Sequence, residues 1–196
     1  SAPDDVLENK IMAALYPDTT YGFESGGNPE AIPTLTQEDF VAFHSRYYHP
    51  SNSYIYLYGA MDLAEKLAYL DAEYLSAFER IEPNSAIERQ NPLAGMAKIE
   101  EAYSIGAGES AEEKTLLALS WLMGDAVTAE ELLALSVLQH ALLQTEAAPL
   151  KKALMDAKIG KDVGASFEDA VLQPYMSIVV NGSEPERAET LLAVTE

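Results

Sequence analysis

Cysteine is absent from the 196 residues. Without a thiol the chain holds no disulfide framework, no thiolate zinc site and no cysteine nucleophile. Basic side chains are scarce. Twelve Lys plus Arg stand against 32 Asp plus Glu, a formal charge of −20. A nucleic-acid binder needs Lys and Arg to displace counterions from phosphates, so no nucleic-acid partner is expected. An anionic membrane surface is excluded as a partner by the same sign. No apolar run approaches the roughly 20 residues of a membrane-spanning helix. What is present is ordinary globular material, 48% hydrophobic and 22% charged. That is enough apolar matter to bury a core, which excludes wholesale disorder.

The periodicity predicts a first helix from Asp4 or Asp5, with Val6, Leu7, Ile11 and Leu15 at helical spacing and Pro17 as its stop. Thr19 to Pro33 is rich in Gly and Pro and reads as a loop. A second helix follows Thr36, capped with Asp39, and Phe40, Phe43, His44 and Tyr47 form its expected inward stripe. SYIYLYG (53–59) reads as a strand covered on both faces. Asp62 with Glu65 caps the next helix. KIEEAYSI (98–105) and TLLALSWLM (115–123) read as strands, with a turn at Gly106 and Gly108 between them. Thr128 with Glu131 caps a long helix through Leu142, and Pro149 opens a short one ending at Gly160. Strands near 163–171 and 175–180 precede a last helix capped by Ser183 with Glu186. Strands thus come in hairpins between helix pairs. That order predicts an α+β fold, with helices packed on one face of mainly antiparallel sheets.

Catalytic patterns are few. There is no G-x-S-x-G elbow, and the glycines at 106 and 108 lack the third of a phosphate loop, which favours a plain turn. His44 and His49 are the first metal candidates. Zinc peptidases place two imidazoles one helical turn apart, as in H-x-x-E-H, whereas a spacing of five sets these rings about 140° apart around a helix. His49 also precedes Pro50, which biases it away from helical geometry. The residues therefore favour a core-facing or hydrogen-bonded His44, a helix-terminating His49 and a structural His140. On this reading the catalytic and metal residues in the chain are none.

One long stretch carries more. Residues 16–62 contain PDTTYG, ESGGNPE, IP, LTQEDF, FH and YYHPSNSYIYLYG with a following Asp. This combination resembles the insulinase/pitrilysin family of zinc metallopeptidases, above all its presequence-protease branch. APLKKALMDAKIG (148–160) resembles the second unit of the same family. The resemblance implies two related units of the insulinase and mitochondrial-processing-peptidase-like metallohydrolase fold. Residues 1–84 would be the C-terminal part of a first unit, 85–96 a linker, and 97–196 a second unit truncated at its C-terminus.

The resemblance also implies a parent enzyme, a zinc-dependent metalloendopeptidase that degrades short unstructured peptides in a clamshell chamber. Its zinc site, H-x-x-E-H plus a downstream Glu, matches nothing here, so the chain is expected to start after the ligands, to bind no zinc and to be inactive alone. A non-catalytic, chamber-completing subunit of the same family is the alternative. The implied partners are peptide substrates and the remaining domains of the parent. The expected location is a bacterial cytoplasm, or alternatively an organelle matrix. The loop from Glu24 to Pro29 lines the chamber or is a turn built on its glycines. In insulin-degrading relatives an edge strand of the second unit pairs with the substrate, and the matching substrate-binding residues are Val163 and Gly164. The negative charge either steers basic peptides or solvates the exterior.

Overall fold

In a computed structural model the described residues are 2–124 and 128–196. They form two compact units. One joins Ser1–Ser25 to Ile87–Glu196, and the other is Gly26–Ala86, so the second unit interrupts the sequence of the first.

The larger unit is built on an antiparallel sheet of β1 (Thr115–Leu122), β2 (Asp162–Glu168) and β3 (Tyr175–Ser183) in the order β1-β3-β2. Central β3 is mostly apolar from Tyr175 to Val180 and is buried from Tyr175 through Ile178, at Val180 and at Ser183. Alternation sends its side chains to opposite faces. Met176, Ile178 and Val180 meet Leu143, Leu154, Ile159, Val163 and Leu191 in the main core. Leu154 comes from α5 (Pro149–Asp156) and Leu191 from α6 (Ala188–Thr195). Each fully buried Leu or Ile contributes about 1.5–3 kcal/mol by leaving water. Tyr175 turns the other way, against Ile11, Leu15 and Tyr16 at the end of α1 (Pro3–Leu15). Ser120 and Ser177 sit opposite each other in the β1–β3 register and share a hydrogen bond of 2.6 Å.

The helix starts follow local chemistry. Pro3 occupies the first turn of α1, where a missing N–H is harmless, with Asp4 and Asp5 beside it. Thr128 caps α4 (Ala129–Gln139) through a complete capping box with Glu131. The expected long helix ends early, because from His140 to Gln144 the chain widens into a single π turn. Ser183 is not a cap. It is buried and donates its hydroxyl to the Ile159 carbonyl at 2.5 Å, while a 3-10 turn at Pro185–Arg187 leads into α6. Gly160 approaches β3 too closely for a side chain, since a Cβ would lie 2.5 Å from Val180 Cγ1 and 2.7 Å from the Asn181 carbonyl.

The smaller unit holds α2 (Gln37–Tyr47) and α3 (Leu63–Glu73). Thr36 accepts from the Asp39 N–H at 3.1 Å, and Asp62 from the Glu65 N–H at 3.0 Å, as the caps predict. The stripe expected to point inward is exposed instead. Phe40 is 68% and Phe43 59% accessible, and Tyr54, Tyr56 and Tyr58 are open to solvent. Residues 53–59 and 98–105 form no strand. A strand needs a ladder partner for its backbone groups, and the described residues of this chain supply none to either segment.

Candidate functional site

The sequence singled out Val163 and Gly164, and both lie on β2, an edge strand among the described residues. The ladder shows which main-chain groups are available there. The Met123 N–H donates to the Pro174 carbonyl at 2.8 Å, at the end of the β1–β3 pairing. Main-chain groups alternate sides along a strand, so even-numbered residues of β3 turn toward β1 and odd-numbered ones toward β2. Val179 pairs with Gly164, and Ser177 with Ser166. The even-numbered residues of β2 therefore carry the ladder. Val163, Ala165 and Phe167 direct N–H and C=O to the open edge.

Val163 and Gly164 thus play different parts. The Val163 side chain is buried in the main core, at 2% exposure, and locks the strand in place while its main chain faces outward. The Gly164 main chain is spent on β3. A Cβ built there would meet nothing closer than the Val179 carbonyl at 4.0 Å, so glycine is not forced by crowding.

At Ala165 the edge is occupied. Gln139, at the end of α4, is buried and donates from Nε2 to the Ala165 carbonyl at 3.2 Å. The same nitrogen lies 3.4 Å from Gln144 Oε1. Residues five apart stack in a π turn, so the widened turn brings Gln144 over Gln139. Sequence reading missed this residue. Its signal was a lone amide in the apolar run LLALSVLQHALL (132–143).

A second concave feature lies in the same unit. An open groove of about 2090 Å³ is lined by α1, the chain from Arg89 to Ile105, β1 and α6. Two exposed ion pairs tie its rim, Lys10–Glu101 at 2.6 Å and Lys98–Glu189 at 2.8 Å. The lysines hold the Glu101 and Glu189 carboxyls below their ordinary range through direct hydrogen bonds first and charge second. Such exposed pairs add little stability.

The histidines do not assemble a metal donor set. His44 is exposed and stacks on Tyr48 with ring centroids 4.8 Å apart. His49 Nδ1 accepts from the Ser51 N–H at 3.1 Å, and its ring meets Phe78 edge-on. His140 is exposed at the head of the π turn. Among the described residues no three His, Asp or Glu side chains come together as a metal site.

The family model for the peptidase M16 inactive domain matches residues 34–196. The chain belongs to the M16, or insulinase, family of peptidases. Three relatives share 35–43% identity with nearly all of it. It is 43% identical to Protein HypA of Clostridium perfringens over 189 residues, covering 96% of this chain and 19% of that protein. It is 37% identical over 193 residues to presequence protease 1, chloroplastic/mitochondrial, of Arabidopsis thaliana, covering 96% of this chain and 18% of the relative. With the mitochondrial presequence protease of Danio rerio the identity is 35% over 189 residues, 94% of this chain and 18% of the relative. The chain therefore spans about a fifth of the length of these relatives. The α+β fold with its antiparallel sheet accords with this family. No helix among the described residues is long and apolar enough to cross a membrane.

Proposed function

We propose that this chain is a non-catalytic part of a zinc-dependent metalloendopeptidase that degrades short unstructured peptides in an enclosed chamber, and that β2 offers those peptides a docking edge in its Val163 and Gly164 segment, through the outward main chain of Val163. The observation that carries the docking edge is the outward main chain of Val163 on a strand fixed by its own buried side chain. Strand addition binds through main-chain hydrogen bonds and so tolerates many sequences, which suits an enzyme acting on varied peptides. The presequence protease relatives support the peptidase reading. Zinc would be held by residues outside this chain, whose own histidines do not fit it. A metal held by two imidazoles and carboxylates supplies an activated water. The part of the chain described here binds and walls in the peptide.

On the same reading residues 1–84 complete a first peptidase unit, 85–96 connect, and 97–196 begin a second. The partners are peptides and the other domains of the parent protein, with neither nucleic acid nor membrane among them. The compartment is a bacterial cytoplasm or an organelle matrix, in keeping with the bacterial and mitochondrial relatives. The description of the matched domain as inactive favours a second reading, a chamber-completing subunit without catalysis.

Zinc analysis and peptide-cleavage assays on the intact protein, beside residues 1–196 alone, separate the two. The peptidase reading expects stoichiometric zinc and chelator-sensitive cleavage in the intact protein and neither in the isolated chain. An intact protein without zinc or cleavage would establish the subunit reading in its place.

A further inference from the structure

We infer that Gln139 is a positioning residue that stops an added peptide strand after Val163. The inference rests on the strand-addition reading above and deepens it. Val163, Ala165 and Phe167 are the β2 residues whose main chains face the open edge, and a peptide extending past Val163 must next pair with Ala165. Gln139 already fills that position with a hydrogen bond of 3.2 Å to the Ala165 carbonyl. The amide is not there by accident of a mobile surface side chain. Gln139 is buried to 9% exposure, and Gln144 approaches its Nε2 from the π turn, a distortion that is rare and concentrates at functional sites. A covered edge also blocks indiscriminate pairing with other strands. The edge is therefore short by construction. On the Val163 side of Ala165 it offers a peptide the main chain of one residue and then ends in a side-chain amide, so peptides of any sequence enter in one register.

The test uses the intact protein with a labelled unstructured peptide and the same peptide N-methylated at alternate residues, which removes its strand-pairing N–H groups. Wild type should bind the plain peptide more tightly than the methylated one, and binding should slow amide exchange at Val163 but not at Ala165. Gln139→Met keeps side-chain length and removes the donor. It should bind the plain peptide about fivefold more tightly, the worth of one main-chain hydrogen bond, and extend exchange protection to Ala165. The methylated peptide should not gain. Gln144→Ala, at an exposed site, should move affinity the same way by less and keeps the test open if Gln139→Met fails to fold. Equal wild-type affinity for the two peptides would overturn strand addition itself and this inference with it. A wild type that discriminates, joined to variants with unchanged affinity and protection, would overturn the role of Gln139 alone.

Discussion

Tyr16 donates its hydroxyl to the main-chain carbonyl of Gln173 at 2.5 Å, across 157 positions of sequence. Its ring is fully buried and meets Tyr175 edge-on with centroids 6.1 Å apart. Tyr175 in turn donates to Glu8 at 2.7 Å, so two phenols clamp α1 to the sheet. Burial foremost pushes both hydroxyls above the ordinary value of 10.0, with the Glu8 hydrogen bond adding to the shift at Tyr175.

These shifts predict alkaline sensitivity. Both phenols are raised in the folded state, so their contribution is complete below pH 10 and is lost as pH climbs above it, where the unfolded chain ionises first. Each group removes up to about 1.4 kcal/mol per pH unit in that range. Urea unfolding from pH 9 upward should show a steep fall in stability, and Tyr16→Phe should flatten it while lowering stability at neutral pH by about 1 kcal/mol. An alkaline limb identical in wild type and variant would show that Tyr16 titrates as an exposed phenol.

A second prediction concerns the amide pair behind that clamp. The Gln90 N–H donates to Gln173 Oε1 at 2.6 Å, and Gln173 Nε2 returns a bond to the Gln90 carbonyl at 3.2 Å. Gln90 also exchanges two bonds with Asp18, at 2.9 and 2.7 Å. Gln173→Leu strands two buried main-chain groups and should cost about 2–4 kcal/mol in denaturant unfolding. The double change with Gln90→Leu should cost less than the two singles together, since they share one network. Strict additivity would mean that the two amides act separately.

Core packing gives a third. Leu154 has no solvent exposure, and Leu154→Ala should lower stability by about 2–5 kcal/mol. Leu133, on α4 and 65% exposed, is the control, and its change to Ala should stay within about 0.5 kcal/mol. Equal losses at the two sites would contradict the burial assigned to them.

The cap of α4 gives the fourth. Thr128 accepts from the Glu131 N–H at 3.2 Å while Glu131 reaches back to the Thr128 N–H at 3.1 Å. Thr128→Ala should destabilise by about 1 kcal/mol, and Thr128→Asn should recover most of it. Thermal melts of the three proteins check this. A Thr128→Asn protein as weak as the alanine variant would place the loss elsewhere than in the cap.

What the sequence made legible was mostly local. The caps at Thr36, Asp62 and Thr128, the proline at the start of α1 and the strand 115–122 depend on a few neighbouring residues, and the structure has them. The segments that depend on distant partners did not follow. Tyr54, Tyr56 and Tyr58 carry strong strand propensity, yet propensity without a ladder forms no sheet. Ser183 reads as a cap because Glu186 follows at the right spacing, but burial against Ile159 claims its hydroxyl first. The part played by Gln139, a lone amide in an apolar run, was hidden for a related reason. Its partner is a carbonyl 26 positions away, on a strand whose pairing phase appears only in three dimensions.

The interrupted larger unit sets a timetable for synthesis. Tyr16 leaves the ribosome 157 residues before Gln173, and Tyr175 follows later still. At roughly 5–20 residues per second that interval is on the order of 10–30 s. Until β1 is made the apolar face of α1 lacks Ala118 and Leu122, and until β3 follows it lacks Tyr175 and the two phenol clamps. The segment in need of shelter during that interval is therefore α1, and a chaperone site on it would be released only once β3 has been translated.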